Sequence, residues 1–169
     1  LRRERDRVPP FYLLSDPALL KSRAARLGLS VPLAIVEPGE ASRAFGAALP
    51  VAPLASAFED RPGKPSSGQA GGVIESIDRA VSDTRDGKAS AVVTCPIAKR
   101  TLYDAGFGFP GHTEYLAHLA GGAFPVMMLA GPSLRTVPVT IHEPLARVPS
   151  LLTAGLITET GRVVARGLS

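Results

Sequence analysis

His112 and Thr113 follow the turn Gly106-Phe107-Gly108-Phe109-Pro110-Gly111 and precede Glu114-Tyr115-Leu116. An imidazole and a hydroxyl placed where a helix begins can both donate to phosphate or hydroxyl oxygens. The same spacing suits plain capping, with Thr113 closing the helix end and Glu114 in its first turn, and spacing leaves both readings open. Lys99 falls about one turn into the helix expected after Thr94-Cys95-Pro96, near the end where an anion would sit. It is either a counter-charge for a phosphate or carboxylate, or an exposed helix lysine. His142 stands at the end of the apolar run that closes with Val139-Thr140-Ile141. Neutral imidazole is a common ligand for divalent ions, but one histidine makes no site, and a structural or surface role is the plainer reading from spacing. Cys95 has no histidine near it in sequence and reads as packing. His118 reads as a surface or packing histidine. Asp104 and Glu114 flank the glycine-rich turn and read as helix-terminal residues, not as a carboxylate pair.

These residues need elements to hold them. Ala91-Val92-Val93 has the β-branched character of a buried parallel strand, and Cys95-Pro96 ends it, since proline removes a backbone donor and presets a helix start. Strand tip, lysine, glycine-rich turn and histidine, in that order, build a polar site at the carboxyl edge of a sheet, where α/β proteins bind ligands.

Upstream, the spacing predicts a strand over Phe11–Leu14 and a helix that starts at Ser15-Asp16-Pro17 and ends at Gly28. A strand over Leu33–Val36 completes a β-α-β unit. Val51–Leu54 reads as a short edge strand in a proline-rich loop. Ser66-Ser67-Gly68-Gln69 lacks the spacing and lysine of a phosphate loop and reads as a helix start. Val73, Ile74, Ile77, Ala80 and Val81 form the stripe of a helix closed by Asp86-Gly87. Downstream, Pro125–Ala130 and Leu134–Ile141 read as two strands about the turn Gly131-Pro132-Ser133. Pro149–Leu156 and Glu159–Leu168 read as helices. The charged stretch Leu1–Arg7 reads as the end of a surface helix or a tail.

The chain has 169 residues, 45% hydrophobic and 20% charged, which suits one globular α/β domain with a real core. No apolar run approaches the roughly 20 residues that cross a bilayer, so no membrane association is expected. A net charge of +4 raises the question of nucleic acid, but the basic residues are dispersed among acidic ones and no zinc-finger or RNA-binding signature accompanies them. A lone cysteine fits a reducing compartment, and the charged opening is not read as a secretory signal, so the cytoplasm is the expected location.

The strings TCPIAKRTLYDAGFGFPGHTEYLAHLA and PVMMLAGPSLRTVPVTIHEPLARVP resemble the 4-hydroxythreonine-4-phosphate dehydrogenase family of vitamin B6 biosynthesis, with the GHTE signature, the Met-Met-Leu-Ala segment and the histidine after Val-Thr-Ile in the family's order. The resemblance extends through most of Phe11–Ser169. It implies the α/β/α sandwich shared with isocitrate and isopropylmalate dehydrogenases, not a Rossmann fold. The family's first strand with its Gly-Asp-Pro-Ala-Gly-Ile-Gly-Pro turn and its second half have no counterpart here, so residues 1–169 are expected to be a single partial α/β domain.

The resemblance further implies oxidation of the secondary alcohol of 4-phosphohydroxy-L-threonine by NAD or NADP. A divalent cation (zinc, magnesium, manganese or cobalt) polarises the oxygen, and the keto product then loses carbon dioxide. His112 and Thr113 become substrate ligands, with Lys99 as counter-charge. His142 becomes one of three histidines on a metal shared across a homodimer, the other two lying in the family's second half. Three alternatives remain: a related dehydrogenase for another phosphorylated or dihydrodiol substrate, a phosphate acyltransferase of similar architecture, and a catalytically inactive piece that only binds or assembles.

Overall fold

The computed structural model describes residues 8–169. The helix end or tail expected over Leu1–Arg7 lies outside the described residues. The chain falls into two compact units, one running to Gly121 and the other spanning Gly122–Ser169.

The first unit is α/β. Strand β1 (Leu13–Ser15) leads into α1 (Pro17–Arg26), and β2 (Leu33–Ile35) and a short helix α2 (Ala41–Ala44) lead into β3 (Leu49–Pro53). Asp16 caps α1, accepting from Ala18 N at 2.7 Å, and Pro17 takes the first helical position as the sequence predicts. Gly28 adopts φ +64°, and the amides of Gly28 and Leu29 return to the carbonyls of Ala25 and Ala24, the paired bonds that terminate a helix. Gly87 ends α3 (Ala70–Arg85) in the same way, with the amides of Gly87 and Lys88 bonded to Thr84 and Asp83.

The three strands are parallel in the order β1-β3-β2, so β3 is the centre of the sheet and not the edge expected over Val51–Leu54. Pro50, inside that central strand, is fully buried. Its missing donor costs the ladder no assigned pair. Leu49 and Val51 bond toward β2, through Pro32 O at 2.8 Å and Val36 N at 3.0 Å, and Leu54 N bonds toward Ser15 of β1. Alternation therefore turns Pro50 toward the β1 side, one residue ahead of the first β1 pair, Leu13 with Val51. Proline content suggested an edge, but only the phase of the proline within the ladder decides.

Helix α3 contacts β1 and α5 (His112–Leu119). Tyr12 O–H donates to Asp83 at 3.0 Å, and Lys88 Nζ lies 3.4 Å from the same buried carboxylate. Burial, then the bond to Asp83, push the Tyr12 phenol up to about 12. The core cluster comprises Ala70, Ile77, Leu102, Phe107 and Tyr115, with Val73, Ile74 and Ile97 packed against it.

The buried strand expected over Ala91–Val93 is not formed. The segment pairs with no strand among the described residues, and Val93 is 94% exposed. A β-branched run carries strand propensity, yet only a neighbouring ladder makes a strand of it.

In the second unit, the two strands expected about Gly131-Pro132-Ser133 shrink to one short antiparallel pair, β4 (Leu129–Ala130) with β5 (Arg135–Thr136). The turn is where the sequence puts it, but the flanks pair with no further strand among the described residues. The helices differ too. Helix α6 covers Val148–Leu151, and α7 runs Ala154–Leu168, starting five residues before the expected Glu159 because Thr153 caps it, accepting from Leu156 N at 3.1 Å.

Candidate functional site

Helix α4 (Lys99–Asp104) places Lys99 as its first residue, not one turn in, and Leu102 anchors the helix in the core. The chain leaves α4 by a glycine-terminated turn: Gly106 N and Phe107 N bond to Tyr103 O and Leu102 O, both at 2.9 Å. Phe107 then packs on Leu102 within the core cluster, the apolar contact that accompanies this termination. Tyr103 O–H donates to Pro110 O at 3.0 Å and ties the loop back onto α4. The turn carries the chain onto Gly111, the N-cap of α5.

By letters, Gly106 to Gly111 is Gly-x-Gly-x-x-Gly. It joins helix to helix, whereas the dinucleotide fingerprint joins strand to helix, so it is not that motif.

Gly111 is buried and extended (φ −177°), a conformation open to any residue. What it supplies is space. A Cβ at Gly111 would lie 3.3 Å from Lys99 Nζ and 3.4 Å from Glu114 Oε2. A cation and a carboxylate thus flank the entrance to α5. Among the described residues no side chain caps that end, so Thr113 is a first-turn residue and the capping expectation for it is overturned. The first-turn amides are therefore left with donors for an outside acceptor, beside the half-buried side chains of His112 and Thr113. Glu114 is the residue that sequence reasoning placed only in the helix turn. Its approach to Lys99 depends on the loop between the two helices, and no spacing rule signals it.

Tyr115 is 7% exposed and donates its O–H to Asp78 of α3. Burial and that bond raise its pKa far above the ordinary phenol range, so it stays a donor. Its ring packs against Phe107 at 4.9 Å and Phe109 at 4.8 Å. His118 is exposed and lies over Phe109 at 5.0 Å, in keeping with the surface or packing role expected of it. Cys95 is exposed, against the packing expected of it.

His142 belongs to the other compact unit. It follows a half-buried segment that forms no strand, is exposed, and has φ +57°, the one non-glycine residue with positive φ among those described. Histidine is several-fold enriched in this left-handed region, yet the conformation remains uncommon enough to flag the position. The next residue, Glu143, pairs with Arg147 at 3.3 Å. Among the described residues no group of three or more His, Cys, Asp or Glu could hold a metal ion. No helix among them is long and apolar enough to cross a membrane.

Lys99, Gly111, His112, Thr113 and Glu114 are thus brought together, and His142 lies in a separate unit.

Comparison with known proteins bears on all of these residues. The family model described as pyridoxal phosphate biosynthetic protein PdxA matches residues 6–169. A 4-hydroxythreonine-4-phosphate dehydrogenase of Methylorubrum extorquens is 53% identical over 97% of this chain and 49% of its own length. The Xanthobacter autotrophicus protein of the same name is 45% identical over 94% of this chain and 47% of its own. Among solved structures, the 4-hydroxythreonine-4-phosphate dehydrogenase of Klebsiella pneumoniae superposes with TM-score 0.80 at 29% identity, covering 92% of this chain and 48% of that one. That of Burkholderia phymatum gives the same score and identity, with coverages of 89% and 46%. The chain spans about half the length of the curated relatives it matches. It shares the α/β fold of these dehydrogenases. With the match running through the loop that aims α5 as well as through the sheet, the chain belongs to the PdxA family of pyridoxal phosphate biosynthetic proteins.

Proposed function

We propose that these residues form the substrate-capturing part of a dehydrogenase that oxidises the secondary alcohol of 4-phosphohydroxy-L-threonine, the substrate class named in its relatives, during pyridoxal phosphate biosynthesis in the cytoplasm. The observation that carries this reading is the uncapped entrance of α5, with His112 and Thr113 in its first turn and the Lys99 ammonium beside it. A phosphate dianion meets oriented amides there, two side-chain donors and a positive charge, and each of these favours negative oxygen. Glu114 on the other flank sets a limit. It repels an anion that strays from the amides and favours the ammonium end of an amino-acid substrate.

NAD or NADP is the hydride acceptor the reading calls for, and a divalent cation is the group that would polarise the alcohol oxygen. One exposed imidazole does not by itself fit such a cation, which takes four or more donors. His142 is assigned as one donor of a set completed elsewhere in a homodimer. The role of this chain's residues is thus to bind and orient the substrate.

The test uses the full-length protein, 4-phosphohydroxy-L-threonine, a divalent metal and NAD or NADP, following the absorbance of the reduced nicotinamide. His112→Ala and Lys99→Ala are each expected to lower kcat/KM by about tenfold or more, the scale of one lost charged or polar contact. His142→Ala is expected to lower bound metal while leaving the fold intact. Unchanged kinetics in both His112→Ala and Lys99→Ala would overturn the binding role.

A further inference from the structure

Helix α5 is held to α3 at two points. Tyr115 O–H donates to Asp78 Oδ1, and Arg85 Nη1 donates to the Leu119 carbonyl at 3.1 Å, capping the last residue of α5. Asp78 and Arg85 are two turns apart on α3, and Tyr115 and Leu119 are about one turn apart on α5, so each pair lies along one face of its helix. Two anchors on one face of each helix fix both the height and the roll of α5. The ring of Tyr115, wedged between Phe107 and Phe109 and 7% exposed, has no room to turn toward another acceptor. His112 precedes Tyr115 by three residues, about 4.5 Å along the axis and on the same side of the helix.

We propose that Asp78 is a positioning residue: through Tyr115 it sets the roll of α5 and so where His112 and Thr113 present their donors to a phosphorylated substrate. This rests on the substrate-binding reading of His112 and Thr113. Asp78 itself is at the solvent edge of α3, so its replacement leaves the apolar core untouched. A carboxylate is suited to the task, because a phenol-to-carboxylate bond is charge-assisted and shorter and stronger than a neutral one. Tyr115, kept protonated by burial, always has the proton to give.

The test compares Tyr115→Phe, Asp78→Leu and Asp78→Asn in the full-length protein, at a temperature where circular dichroism shows each folded. Histidine ring resonances are recorded with and without inorganic phosphate, the His112 signals being identified by their loss in His112→Ala. Tyr115→Phe keeps the ring and removes the donor, and Asp78→Asn keeps an acceptor. The His112 ring signals are expected to move in Tyr115→Phe and Asp78→Leu and to stay close to wild type in Asp78→Asn. The first two variants are expected to lose about tenfold or more in kcat/KM, and in a His112→Ala background Tyr115→Phe is expected to add little. Unmoved His112 signals in both Tyr115→Phe and Asp78→Leu overturn the positioning role, as does a kinetic loss fully additive with His112→Ala. Moved signals with His112→Ala kinetics at wild-type level sink the substrate reading and leave the positioning intact. Should Tyr115→Phe fail to fold, the Asp78→Leu and Asp78→Asn pair decides alone.

Discussion

Gly72→Ala tests how rigidly the start of α3 is seated. A Cβ at Gly72 would lie 2.5 Å from Phe58 Cζ, 2.9 Å from Ser56 Cβ and 3.0 Å from Phe58 Cε1. Carbon atoms prefer separations of about 3.5–4.0 Å, so the 55–58 loop would have to retreat by roughly 1 Å. The loop has little freedom to do so. Its amides are pinned: Ala55 N and Ser56 N donate to the two oxygens of Glu75 at 2.7 and 3.0 Å, and Phe58 N donates to Asp16 at 3.1 Å. Overpacking of this kind costs about 1–3 kcal/mol. Replacing glycine also lowers the entropy of the unfolded chain, which offsets about 0.4–1 kcal/mol of that and leaves a net loss of up to roughly 2.6 kcal/mol. Gly71 is the internal control. It is exposed and adjacent, and nothing lies within 4 Å of its Cβ position, so Gly71→Ala should stabilise by about 0.4–1 kcal/mol. The two variants should therefore move the urea midpoint in opposite directions at an unchanged slope. Equal stability of Gly72→Ala and Gly71→Ala would refute the pinned loop.

Two further outcomes follow from single sites. The bond from Phe58 N, then the α1 cap amides, hold the Asp16 carboxyl below the usual carboxylate range. A depressed acid stabilises the fold above its unfolded pKa and loses that contribution as pH falls through the folded value, so wild type should lose thermal stability in acid more steeply than Asp16→Asn, which caps without a charge. Parallel pH profiles of the two melting points would contradict this. Gly111→Ala should cost about 0.5–1 kcal/mol of stability through the weaker N-cap. By pushing the Lys99 ammonium a few tenths of an ångström from a bound phosphate it should also cost about 0.5 kcal/mol of attraction, near twofold in kcat/KM, and an unchanged value would remove Lys99 from the phosphate's surroundings.

What the sequence by itself determined are the features whose causes lie within about four residues. Asp16-Pro17 starts α1 and Gly28 ends it because cap acceptor, preset φ and left-handed glycine are all local. The stripe from Val73 to Val81 makes α3 for the same reason, and Gly106 to Gly111 delivers His112 to the mouth of α5. The motif around that mouth was legible enough to place the family. The tertiary structure decided what depends on partners far away in sequence. Proline-bearing β3 lies at the sheet's centre because its phase in the ladder spares the missing donor, while the more strand-like Ala91–Val93 stays unpaired. Gly111, not Thr113, takes the N-cap position of α5, at a point where a Cβ would meet Lys99 of α4 and Glu114 of α5. Tyr115 reaches Asp78, 37 positions away, because α3 and α5 share one core. Local signals act through bonds closed within a turn, whereas ladders and helix seating are chosen by burial and partner geometry, which no short stretch of sequence contains.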